Sequence, residues 1–79
     1  MEFKEDLTKV KVGDYVLTEG MTSMAQDGGY ERVSKIKTKY NEDTGKPYKV
    51  ICCKGWEFDS RNGYAITSPT IYYIMGFIN

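Results

Sequence analysis

The sequence predicts one small domain over residues 1–79, built mainly of antiparallel β-strands. Three observations predict it. First, residues 34–40 alternate: Ser34, Ile36, Thr38 and Tyr40 fall on one side, and Lys35, Lys37 and Lys39 on the other. A period of two marks a strand with one dry and one wet face. Second, the apolar segments are short and punctuated by turn formers at Gly13-Asp14, Asn41 to Pro47, Asn62-Gly63 and Ser68-Pro69. Third, aromatics make up 14% of the residues, seven of them Tyr. Such side chains pack well on a pleated surface.

Each element follows in order. Gly13-Asp14 turns the chain into a first strand from about Tyr15 to Thr18. Residues 19–29 are polar and Gly-rich and read as a long loop. Met21, Met24 and Ala25 stand at helical spacing there, enough for one turn of helix. A second strand covers about Tyr30 to Tyr40. After the polar turn 41–47, a third covers about Tyr48 to Asp59, bent at Gly55, with Tyr48, Val50 and Cys52 on one face. A three-residue loop with a left-handed Gly63 would pair Ser60 with Tyr64 and Phe58 with Ile66. That register gathers Trp56, Phe58, Tyr64 and Ile66 on one face, whereas a two-residue Asn-Gly loop would scatter them. The tail Ile71 to Ile78 reads as a strand buried on both faces. Its rival is a short helix capped by Ser68, with Pro69 at its first position and Gly76 at its stop; the β-branched and aromatic content favours the strand.

Composition narrows the function. With 79 residues, the chain buries only about 60–65% of its extended surface, so self-association would be a natural source of further burial. The net charge is zero but unevenly spread. Residues 1–31 hold seven acids against three lysines, and residues 32–54 hold seven bases against two acids. Balanced charge gives little long-range pull on nucleic acid, though a local basic face remains. Cys52 and Cys53 are adjacent, so on a strand they point apart and form no disulfide framework. They read as reduced thiols, which suggests a cytoplasmic protein. The charged start, Glu2 to Asp6, does not read as a secretory signal, and no apolar run approaches a membrane span of about 20 residues.

The order of short strand, long loop, two long strands, Gly-containing hairpin, short break and final strand resembles the small Src-homology-3-like barrels. Val12-Gly13-Asp14-Tyr15-Val16, followed by Val33 and Ile36, resembles their entry. The resemblance implies a five-stranded, strongly bent antiparallel barrel with a single helical turn in the break before the last strand. The peptide-binding members carry an Ala-Leu-Tyr-Asp-Tyr run and a Trp pair. Here Trp56 is the only Trp, so proline-rich peptide binding is not implied. In brevity and Tyr content the chain also resembles small bacteriophage accessory proteins, many of which bind and modulate a host factor.

No catalytic signature is present. The chain has no His, the commonest general base and metal ligand, and Gly28-Gly29 is not followed by the Lys-Ser/Thr of a phosphate-cradling loop. Asp14, Glu57 and Asp59 read as turn and solvent-face acids, and a thiol at Cys53 has no evident activator. We therefore expect a non-enzymatic module with no cofactor and no metal. It would bind a partner protein, or its own copy, through Met21, Met24, Tyr30, Tyr72 and Tyr73. Methionine adapts to a partner, and exposed aromatics mark interfaces; the plainer reading is that the loop caps one end of the core. The alternative function is nucleic-acid or nucleotide binding by Lys35, Lys37, Lys39 and Lys49, with Tyr40 or Tyr48 stacking on bases. Against it stands a simple solvated face whose lysines discourage edge pairing.

Overall fold

The computed structural model describes residues 2–20, 29–66 and 72–79. The chain first makes a 3₁₀ turn at Leu7–Lys9. Asp6 starts it, its carboxylate accepting from the Thr8 amide at 3.1 Å and the Thr8 hydroxyl at 2.6 Å. The turn sends Leu7 into the core. Gly13 then takes a left-handed φ of +95°, and the Asp14 carboxylate accepts from the Lys11 amide at 3.0 Å. This side-chain-locked turn launches strand β1, Tyr15–Gly20.

Five further strands follow: β2 Gly29–Arg32, β3 Lys35–Tyr40, β4 Pro47–Cys53, β5 Trp56–Asp59 and β6 Tyr72–Ile78. They form two antiparallel three-stranded sheets, β2-β1-β6 and β3-β4-β5. Three expectations change. Among the described residues there are six strands rather than five: two long segments each divide, and the hairpin strand expected after Gly63 is reduced to isolated bridges at Tyr64 and Ala65. Residues 30–40 break at Val33-Ser34, where the chain leaves one sheet for the other. The Val33 amide bonds Asp14 O at 2.8 Å in the first sheet, and the Ser34 amide bonds Cys52 O at 2.9 Å in the second. Residues 48–59 break at Lys54-Gly55. Both residues have positive φ, 53° and 79°, and they form a two-residue hairpin turn that pairs Cys53 with Trp56.

The second change is the register after β5. Phe58 faces Ala65, not Ile66. The loop is one residue longer than expected, with the Gly63 amide bonding Asp59 O at 2.7 Å and the Asp59 amide bonding Tyr64 O at 2.9 Å. Side chains hold it open: Asp59 accepts from the Arg61 amide and Asn62 from the Tyr64 amide. Gly63 is left-handed as expected, at φ +82°. Small Ala65 thus packs on the core, while Tyr64 and Ile66 are exposed. Third, among the described residues the ladders do not close into a barrel. Isolated bridges, Phe58 to Ala65 and Tyr64 to Tyr73, stitch β5 toward β6. The tail is a strand, as its composition predicts. The helical turns expected near Met21–Ala25 and at Ser68–Thr70 lie outside the described residues.

One core joins the sheets. Val16, Tyr72, Ile74 and Phe77 come from one sheet and Ile51, Cys53 and Phe58 from the other, with Leu7, Val10 and Val33 between. Tyr72 sits at the joint, its ring 5.4 Å from Trp56 and 5.3 Å from Phe58. Its hydroxyl donates to buried Thr18 Oγ1 at 3.2 Å, which donates to Gly29 O. Opposite Tyr72 stands Gly20, where a Cβ would come within 2.6 Å of the Tyr72 ring.

Candidate functional site

The outer side of β2-β1-β6 is built by alternation. Along β1, Val16 and Thr18 point inward, leaving Tyr15, Leu17 and Glu19 outward. Residues directly opposite in an antiparallel ladder share a side. Tyr15 therefore stands in a row with Arg32 and Ile78, Leu17 with Tyr30 and Gly76, and Glu19 with Tyr73. A bulge in β6 between the partners of Leu17 and Thr18 keeps Tyr73 on this side. The Phe3 ring covers Gly76, where a Cβ would lie 2.3 Å from Phe3 Cζ. Tyr64 extends the row beyond Tyr73, the rings 5.7 Å apart. Tyr15, Tyr30 and Tyr64 are 43%, 48% and 51% exposed. This is a contiguous aromatic face, of the kind that marks a partner site. Its two charges sit at opposite ends, Arg32 level with Tyr15 and Glu19 level with Tyr73; neither makes an ion pair among the described residues.

The outer side of β3-β4-β5 is different. Its rows are Lys35–Cys52–Glu57 and Lys37–Val50–Asp59, with Lys39 opposite Tyr48. Glu57 accepts from Lys37 at 2.5 Å and Lys39 at 3.2 Å. These bonds, Lys37's foremost, hold the Glu57 carboxyl below its usual range, and Glu57 in turn raises Lys37. Arg61 forks onto Asp59 with Nη2–Oδ2 at 2.7 Å and lies 3.7 Å over the Tyr48 ring; its hydrogen bonding lowers Asp59. Val50, on this outer side and apart from the main core, is nonetheless fully buried. It stands between Lys37 and Asp59 across the ladder, and long charged side chains can cover such apolar surface with their stems.

The predicted site residues divide accordingly. Tyr30 and Tyr73 lie on the aromatic face, and Tyr73 donates its hydroxyl to Glu19. Tyr72 does not: it is 6% exposed, because β6 alternation turns its ring to Trp56 and Phe58. Met21 and Met24 lie outside the described residues. Of the alternative set, Lys35, Lys37, Lys39 and Tyr48 share a face. Lys49 does not, because it stands opposite Thr38 and reaches Thr8 O at 2.9 Å. Tyr40, opposite Pro47, falls on the Thr38 side and is well exposed. The residues missed are Phe3, Tyr15, Leu17, Tyr64 and Ile78. Tyr15 and Leu17 alternate with Val16 and Thr18, a legible signal; the pairing that brings the rest beside them is long-range.

The thiols split as expected, Cys52 on the lysine side and Cys53 in the core. Burial pushes Cys53 up to about 11 and raises Cys52, so neither is an activated nucleophile. Among the described residues no helix is long and apolar enough to cross a membrane. Comparison with known proteins gives no match to a family model, a curated protein or a solved structure.

Proposed function

We propose that this protein is a non-enzymatic binding module that recognises a partner protein through the outer face of β2-β1-β6. The observation that supports this most is the run of Tyr15, Leu17, Tyr30, Tyr64 and Tyr73 on one sheet side, three of them substantially exposed. Tyr offers a large rigid contact with a polar tip, and interface cores favour aromatics over charge. The module is a variant of the Src-homology-3-like arrangement, its strongly bent second strand represented by β2 and β3 on either side of Val33-Ser34. The masking of Glu57 and Asp59 by basic partners and the raised thiols support a role without catalysis.

The test is capture of partners by the wild-type chain, a Tyr15→Ser/Tyr30→Ser variant and a Lys37→Ala/Lys39→Ala variant. Binding lost only in the tyrosine variant supports the reading. Equal capture by all three sinks it. The phosphate-binding alternative is weakened by Glu57 sitting between Lys37 and Lys39 and by Lys49 facing elsewhere. Salt-sensitive oligonucleotide binding lost on Lys37→Glu would move the function to the second sheet.

A further inference from the structure

Resting on that reading, we infer that the occupant of the aromatic face is a second copy of this chain, stacked sheet on sheet about a twofold axis. The argument begins with charge. Among the described residues the face carries one cation, Arg32, at the Tyr15 end and one anion, Glu19, at the other. Two aligned sheets pack about 10 Å apart, and a twofold relating them must lie in the interface plane. If the axis runs across the strands at Leu17, the Tyr15 end of one copy lies over the Glu19 end of the other. Arg32 then stands offset sideways by one strand spacing, about 4.8 Å, from the point facing the partner's Glu19, within reach of its long side chain across the seam, and the same pair forms twice. Tyr15 meets the partner's Glu19, Leu17 meets Leu17, and Tyr30 meets Tyr30. If the axis instead runs along β1, Glu19 stacks on Glu19 and Arg32 on Ile78, which places like charges together and leaves the cation without an anion. Complementarity therefore selects the antiparallel stack.

Two further features agree. The chain has zero net charge, so no long-range repulsion opposes meeting its copy. A standard interface hides about 800 Å² per partner, about a seventh of this chain's 5348 Å² surface. Three short strands flanked by Phe3 and Tyr64 fall at or below that size, the class of weak, concentration-dependent association.

Analytical ultracentrifugation of the full chain, from low micromolar to millimolar concentration, should show a monomer passing to a dimer. Arg32→Glu and Glu19→Arg should each weaken the dimer at least about tenfold. The double variant Arg32→Glu/Glu19→Arg should recover most of that loss, since it rebuilds the pair with reversed signs. Melting temperatures of all three establish that folding is intact. A chain that stays monomeric at millimolar concentration overturns self-pairing, whereas the binding reading itself falls only if the tyrosine variant keeps its partners. A dimer indifferent to both single charge reversals, or single defects that the double variant deepens, overturns the antiparallel stack.

Discussion

The two sheets share one core yet turn opposite surfaces outward. On β2-β1-β6 the outer rows are aromatic, and both of their charges lack ion-pair partners among the described residues. On β3-β4-β5 they are ionic, and most of their charges are satisfied within the chain. Hence Val50 is fully buried on an outer face, whereas Tyr15 and Tyr30 lie open on the other. A small domain can cover an outer face with its own long charged side chains, or leave it bare for something else to cover. The contrast is between a sheet whose charges are largely paired within the chain and one whose tyrosines lie open.

Gly76→Ala should have the largest effect on stability. Its Cβ would meet the Phe3 ring and lie 2.6 Å from the Lys4 carbonyl oxygen, and the Lys4 to Phe77 bridge must shift to admit it. A loss of about 2–3 kcal/mol in urea unfolding is expected; a neutral result would detach Phe3 from the aromatic face. Next comes a matched pair. Val50→Ala should cost about 1–2 kcal/mol, and Leu17→Ala less than about 1 kcal/mol because Leu17 is only half-buried. Binding should respond in reverse, with Leu17→Ala weakening capture and Val50→Ala leaving it unchanged. If Leu17→Ala costs more stability than Val50→Ala, the two faces have been misassigned.

Acid should act through the ionic face. Glu57 and Asp59 are both held below their ordinary values of 4.5 and 3.8 by hydrogen bonds from bases. The unfolded chain therefore takes up protons first. This contribution is complete above those ordinary values and is lost as pH falls through the lower folded ones. Glu57→Gln should flatten the acid limb of a stability-against-pH curve. The smallest effect concerns the thiols. Cys53, raised from 9.0 to about 11 by burial, favours the folded state below pH 9 and loses that contribution as pH climbs toward 11. A thiol reagent at neutral pH should label Cys52 well ahead of Cys53; equal rates would mean the inner side of β4 is not sealed.

Local pattern made part of this legible. The lysine alternation placed β3, the turn residues placed β1, and the β-branched tail gave β6. What stayed hidden depends on turns competing for the chain. Asn62-Gly63 carries the stronger two-residue hairpin signature, yet Asp59 and Asn62 cap a wider loop there. Lys54-Gly55 carries a weaker one and forms the tight turn, with Lys54 bearing a left-handed backbone. The crossing at Val33-Ser34 leaves only a faint mark in the 30–40 alternation: the inward residues switch from odd, Val33, to even, Ile36, across two consecutive exposed residues. Of the residues on the aromatic face, Tyr30 was legible from its place beside the long loop and Tyr73 from its place in the aromatic tail. Tyr72 was misplaced because an apolar run of Tyr72, Tyr73 and Ile74 does not reveal which ring faces inward. That depends on pairing with Gly20, Glu19 and Thr18, residues distant in sequence.

Strand order also bears on when each surface comes into being. β3, β4 and β5 are consecutive and close through short turns, so that sheet can assemble from local contacts. The other sheet needs β6 to reach β1, and Thr18 and Tyr72 are 54 residues apart. Loop closure of that length slows formation. The ionic meander is therefore the natural early structure, and the aromatic rows align only once β6 has docked. A nascent chain thus carries its tyrosine-lined surface in scattered pieces until the strand that completes it has been made.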